Sequence, residues 1–177
     1  MHRLFVAIRP PRAIRLQLLT IMHGIRGARW QDDAQLHLTL RFIGEVDRHR
    51  AEDVAAALGA VHHPAFTLAL HGLGQFDRKG RLDSLWAGVA PHEGVIALHH
   101  KIDQALARVG IVPETRAFLP HITIARCNRQ TGPADALLAQ FAGLTSEPQA
   151  IAAFCLYESR LGSEGATYDI IARYPLD

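Results

Sequence analysis

The chain is short of cysteine, of lysine and of long apolar runs, and each shortage removes a class of explanation. Two cysteines in 177 residues, Cys127 and Cys155, cannot build a disulfide framework. No Cys-x-x-Cys is present to hold zinc through thiolates. Cys155 lies in an apolar run and reads as a small core residue. No stretch approaches the ~20 apolar residues of a membrane span. The opening Met1–Pro10 is interrupted too early for a secretory leader, and its apolar run is expected to be a buried strand. These absences predict a soluble, cytoplasmic protein, and a monomer is expected.

A strong charge of one sign is missing too. The formal net charge is +2, too small for an extended nucleic-acid surface, so any such contact is confined to a few nucleotides. Among the 19 Lys and Arg residues only Lys79 and Lys101 are lysine. Arginine suits bidentate phosphate contacts, but a GC-rich genome produces the same bias, so the excess alone assigns nothing.

What is present is a hydrophobic content of 49%, enough for a sizeable core in one domain over residues 1–177. The pattern predicts a helix over Pro11–Gly24, with Ile14, Leu18, Ile21 and Met22 on one face. A short strand at Ala28–Gln31 precedes a longer one at Leu36–Ile43, closed by Gly44. Asp47 caps a helix to Ala60. Phe66–Leu73 and Leu85–Val89 read as strands flanking a polar loop, Asp77–Asp83. A helix over Gly94–Val109 ends at Gly110. A strand (Phe118–Ala125), a helix (Pro133–Ala142) and two strands (Gln149–Glu158, Ala166–Tyr174) follow.

Within this order one tetrapeptide recurs: His37-Leu38-Thr39-Leu40 returns as His121-Ile122-Thr123-Ile124, an offset of 84 residues (37 to 121). The period-2 alternation of both copies marks half-buried strands, with His and Thr on one face and the aliphatic residues on the other. The same offset carries Phe66 to Ala150, and the helix after each histidine strand falls in a similar place, Asp47–Ala60 against Pro133–Ala142. Both halves therefore read as strand, helix, strand, and a duplicated module with a pseudo-two-fold axis would bring both motifs to one cleft. The expected fold is α+β and two-lobed, with antiparallel sheets around that cleft and helices outside.

The chemistry follows from the pair. Two imidazoles on opposite sides of a phosphorus atom can supply a general base and a general acid near neutral pH. Thr39 and Thr123 can donate hydroxyl hydrogen bonds to the non-bridging oxygens as charge builds there. No carboxylates accompany the motifs as a metal site would need, so no metal is expected. The other histidines, including His62-His63 and His99-His100, read as solvated. Five residues after each histidine stand Phe42 and Arg126. Strict alternation turns both away from the cleft, so they are either structural or brought round by a bulge. Arg41, in phase with His37, is a further candidate.

The segments His37–Val46 and Pro120–Arg126 resemble the two signatures of the bacterial and archaeal RNA 2',3'-cyclic phosphodiesterases, also called 2'-5' RNA ligases, in the two-histidine phosphoesterase superfamily. Arg3–Ile8 is similar to that family's first strand. Leu156–Leu161, with Gly165 and Tyr168, is similar to its C-terminal hairpin. The resemblance implies hydrolysis of a terminal 2',3'-cyclic phosphate to a 2'-phosphate, without metal or nucleotide cofactor, acting on RNA ends or cyclic nucleotides. It implies that His121 activates water while His37 protonates the departing 3'-oxygen. It also favours Arg126 as a phosphate clamp and Phe42 as a base-stacking platform. The reverse reaction would join a 5'-hydroxyl end through a 2'-5' linkage. Two other readings are a phosphoesterase for a small cyclic nucleotide, such as ADP-ribose 1'',2''-cyclic phosphate, and a non-catalytic RNA-end-binding module.

Overall fold

The computed structural model describes all 177 residues. In chain order the elements are β1 (His2–Ile8), α1 (Arg12–Ile21), β2 (Arg29–Trp30), β3 (Leu38–Val46), α2 (Arg48–Gly59), β4 (Phe66–Arg78) and β5 (Arg81–Ala90). These are followed by α3 (Glu93–Arg108), β6 (His121–Arg126), α4 (Asp135–Gln140), β7 (Gln149–Ile151), β8 (Ala153–Gly162) and β9 (Gly165–Pro175). The strands form one antiparallel sheet in the order β7-β4-β5-β6-β3-β1-β8-β9, with β2 beside β6. Its two four-stranded halves meet only at the pair Leu38–Ile122, between β3 and β6. The two expected sheets are thus joined by one rung, and the order reads outward symmetrically from it.

Alternation explains which face is which. Leu4, Val6 and Ile8 of β1, Leu38 and Leu40 of β3, and Ile122 and Ile124 of β6 point to one side. There they join Ile14 and Leu18 of α1, Val54 and Leu58 of α2, Leu98 and Ile102 of α3, and Leu137 of α4 in one core of 31 buried residues. All four helices therefore cover the same face, and burying each large aliphatic chain contributes about 1.5–3 kcal/mol. The opposite face carries a small second cluster of Phe5, Ala7, Cys155 and Tyr157, and the His-x-Thr motifs open onto this side. The Asp47 carboxylate caps α2 by accepting from the Arg50 amide at 2.8 Å, an arrangement worth about 1 kcal/mol.

Several boundaries differ from the sequence-based expectation. The polar stretch 77–83 is not a loop. It is a β4–β5 ribbon closed by the two-residue turn Lys79-Gly80, whose φ values are both positive, 53° and 74°. A ribbon wet on both faces keeps its backbone pairing without apolar alternation, so polarity misread it. The strand expected over Gln149–Glu158 is two strands broken at Ala152: β7 pairs with β4 in one half and β8 pairs with β1 in the other. The first histidine strand runs through Gly44 to Val46, because Gly44 (φ 91°) absorbs a bulge rather than ending the ladder. The strand expected from Phe118 begins only at His121.

Candidate active site

The antiparallel pair Leu38–Ile122 fixes the centre of the cleft. Extending its register by one residue places His37 opposite Thr123 and Thr39 opposite His121, all on the face away from the core. The histidines then lie diagonally across the pair, one on each side of its single rung. Beyond the single rung the strands separate, so the cleft is open above and below.

Each ring is oriented in the same way. His37 Nδ1 lies 2.7 Å from the Gln35 carbonyl, and His121 Nδ1 lies 2.6 Å from the Leu119 carbonyl. A carbonyl can only accept, so both Nδ1 atoms carry the hydrogen and both Nε2 atoms are left for the cleft. The acceptor stands two residues before its histidine in both motifs.

The strands then bulge at matching places. Along β1–β3, Ala7 pairs with Thr39 and Val6 with Arg41, so Leu40 is the extra residue. Along β5–β6, Trp86 pairs with Thr123 and Leu85 with Ala125, so Ile124 is the extra residue. The bulges explain what strict alternation could not. Phe42, 41% exposed, lines the cleft beside Thr39, and Arg126 lines it beside His37. The same slip turns Arg41 inward, although it still lines one edge of the cleft beside Phe42. It is buried, pairs with Asp103 at 2.8 Å and donates to the Phe42 and Val112 carbonyls. Carbonyl acceptor, His, Thr, bulge and cleft-facing side chain thus all recur at the 84-residue offset.

A family profile for the 2'-5' RNA ligase superfamily matches residues 10–162. The chain belongs to that superfamily. It is 35% identical over 133 residues to the RNA 2',3'-cyclic phosphodiesterase of Escherichia coli, covering 71% of this chain and 72% of that one. It is 29% identical over 175 residues to the RNA 2',3'-cyclic phosphodiesterase of Thermotoga maritima, covering 96% and 92%. The crystal structure of E. coli LigT complexed with 3'-AMP superposes with a TM-score of 0.78 at 28% identity, covering 99% of this chain and 98% of that one.

In this member of the superfamily the cleft has two compartments that share Thr39 and Phe42. One, about 480 Å³, takes in His121, Phe76, Arg116 and Phe118. The other, about 180 Å³, takes in His37, Arg126, Arg3 and Tyr168. Each histidine stands among aromatic rings. His37 is 4.9 Å from Phe5 and 5.0 Å, edge-on, from Tyr168. His121 is 5.0 Å, edge-on, from Phe76 and 5.9 Å from Trp86. Trp86 reaches that position by lying across Gly74, where any Cβ would come within 2.3 Å of its ring. No sequence pattern marked Phe5, Phe76 or Trp86, and Tyr168 entered only through the resemblance of the C-terminal hairpin; the four rings come from β1, β4, β5 and β9. Only the folded sheet collects them.

Burial makes both imidazoles reluctant to protonate. It holds His37 down at about 4, against the opposing pull of the Gln35 carbonyl, and the charges of Arg126, His121 and Arg9 add to the lowering. Burial also lowers His121, with the Leu119 carbonyl opposing and Arg126 assisting. Removed from water, the Tyr157 hydroxyl is pushed up to about 12. Tyr157 Oη and Trp86 Nε1 are the two buried side-chain polar atoms without a protein partner. One sits beside each histidine, at a cost of about 1–3 kcal/mol apiece. Arg3 covers one face of Phe42, with its guanidinium 5.2 Å from the ring centre, which leaves the other face for a planar ligand.

Proposed function

We propose that the protein hydrolyses the terminal 2',3'-cyclic phosphate of RNA to a 2'-phosphate, with His37 and His121 as its acid–base pair. The observation that carries this reading is the diagonal of two Nδ1-anchored imidazoles with a threonine opposite each. Membership of a family whose relatives are RNA 2',3'-cyclic phosphodiesterases, and the 3'-AMP held by LigT, support the substrate class.

In the reaction, water attacks phosphorus in line with the 3'-oxygen. His121 Nε2 accepts the water proton as the new P–O bond forms. The bond from phosphorus to the 3'-oxygen breaks, and His37 Nε2 delivers the proton that this oxygen needs. A 2'-phosphate and a free 3'-hydroxyl remain, and solvent resets the two rings. The Thr39 and Thr123 hydroxyls and the Arg126 guanidinium hold the non-bridging oxygens, while the free face of Phe42 stacks on the terminal base. The phosphate's negative charge beside both rings favours protonation of His37 in the complex, against its resting preference. A 5'-hydroxyl in place of water gives the reverse, 2'-5' joining reaction. The mechanism requires no cofactor, and we take the protein to act as a cytoplasmic monomer, one two-lobed unit.

The test is turnover of an RNA oligomer with a 2',3'-cyclic end beside 2',3'-cyclic AMP, with the product read by phosphorus NMR. His37→Ala and His121→Ala are each expected to lose about 10²–10⁴-fold in kcat. A variant that keeps most of its activity would rule out the two-imidazole mechanism.

A further inference from the structure

The sequence pattern marked His99 as solvated, but it is 7% exposed and bonded to the bulge that shapes the cleft. Its Nδ1 donates to the Leu40 carbonyl at 2.6 Å, and Leu40 is the extra residue between Thr39 and Arg41. A bulge leaves backbone groups outside the ladder, and a buried one must find another partner. The matching carbonyl in the other half, that of Ile124, accepts from the Gln31 backbone amide at 2.9 Å. One bulge is therefore held by main chain, which no substitution short of proline removes, and the other by a single side chain.

The imidazole of His99 also reaches the second motif. It stacks on Phe118 with ring centres 4.0 Å apart and planes 9° from parallel. Phe118 precedes Leu119, whose carbonyl orients His121. One turn further along α3, Asp103 holds Arg41, which in turn donates to the Phe42 carbonyl. His99 and Phe118 line the same compartment as Thr39, Phe42 and His121.

We infer that His99 is a positioning residue: by holding the Leu40 carbonyl while stacked on Phe118, it sets Thr39 and Phe42 in register with His121. A well-packed core histidine would satisfy the same carbonyl anywhere in a protein. This one does so at the bulge that aims the Thr39 hydroxyl, a proposed hydrogen-bond donor to the phosphate, where a displacement of about 1 Å costs on the order of 10²-fold. The inference rests on the roles given to Thr39 and His121 above.

Two variants separate its parts. His99→Phe keeps a ring on Phe118 but has no donor, and His99→Asn places an amide N–H near the position of Nδ1. His99→Phe is expected to lower kcat at least about tenfold with KM within about threefold of wild type, and His99→Asn to recover most of that loss. The decisive measurement is a double-mutant cycle. Added to His99→Phe, Thr39→Ala should cost little more, because that hydroxyl is already misplaced. Thr123→Ala should keep its full cost, since Gln31 still holds its bulge. If His99→Phe cannot be recovered folded, Phe118→Leu takes its place in the same cycles, with the same expectations. Unchanged kcat, losses that multiply fully with Thr39→Ala, or no recovery in His99→Asn would each overturn the inference. A Thr39→Ala that is silent on its own would instead count against the functional reading beneath it.

Discussion

The two halves of the sheet present the same device and support it differently. In both, a carbonyl two residues upstream fixes the imidazole, a threonine follows on the same face, and a bulge swings a fifth residue into the cleft. Around these constants the surroundings have diverged. His37 lies deeper, against Phe5, Tyr157 and Tyr168, on strands drawn from both ends of the chain. His121 stands against Phe76 and Trp86 on a hairpin and is less buried. The fifth residue is an apolar ring in one half and a guanidinium in the other. What the duplication preserves is backbone geometry, and what it leaves free is the environment that tunes each group. The halves are therefore expected to be mechanistically unequal.

The sharpest way to expose that inequality is to change the leaving group. A phosphodiester that departs as nitrophenolate needs no general acid, so activity lost through the acid should return by about 10²-fold or more, while activity lost through the base should not. Assayed on such a substrate, His37→Ala should be rescued and His121→Ala should not. The opposite pattern would reverse the two assignments, and rescue of both would abolish the distinction.

A smaller effect is expected at the hydroxyls. Thr39→Ala and Thr123→Ala should each lower kcat by about 10²-fold with KM little changed, as for donors that meet charge developing in the transition state. Raised KM at constant kcat would make them ground-state contacts. The fifth residues should differ from each other. Phe42→Ala is expected to raise KM about fivefold for an RNA end, the weight of one base–aromatic stack. Arg126→Gln should lower kcat and also let both imidazoles titrate higher, since its charge depresses each. Histidine NMR titration would show this directly.

The smallest effect is on stability. Folded His37 takes up its proton only near pH 4, whereas an unfolded histidine does so near 6.5. Between those values the unfolded chain binds more protons, so stability falls as the solution is acidified from about 6.5 to about 4 and is fully present above that window. Denaturant midpoints at pH 5 and pH 7.5 should differ less in His37→Asn than in wild type. Equal differences would place the acid sensitivity elsewhere.

The sequence made much of this legible where a residue's role is local. His37, Thr39, His121 and Thr123 announced themselves through alternation repeated at one offset, and the Asp47 cap and the glycine after α3 were visible in the same way. Phe42 and Arg126 were visible as positions but not as directions, because a bulge of one residue leaves no mark on composition. Arg41 was likewise visible as a position on the cleft, but not its tie to Asp103. His99 was missed because its partner is a carbonyl 59 residues away. The β4–β5 ribbon was missed because a strand wet on both faces lacks the apolar beat that identifies strands. The break at Ala152 was hidden inside one apolar run that serves two different neighbours.

That break has a consequence for how the molecule is made. Strands β4 to β7 are contiguous in the chain, so the half that bears His121 draws its strand partners largely from its own segment. The other half is sewn together from opposite ends: Leu4 lies against Glu158, and Phe5 against Tyr157. Contacts of that span form late, since the loop they close is the whole intervening polypeptide. During synthesis the pocket around His37 therefore stays unfinished until Tyr157 and Tyr168 clear the ribosome, and a nascent chain arrested short of them carries both histidines but only half a cleft.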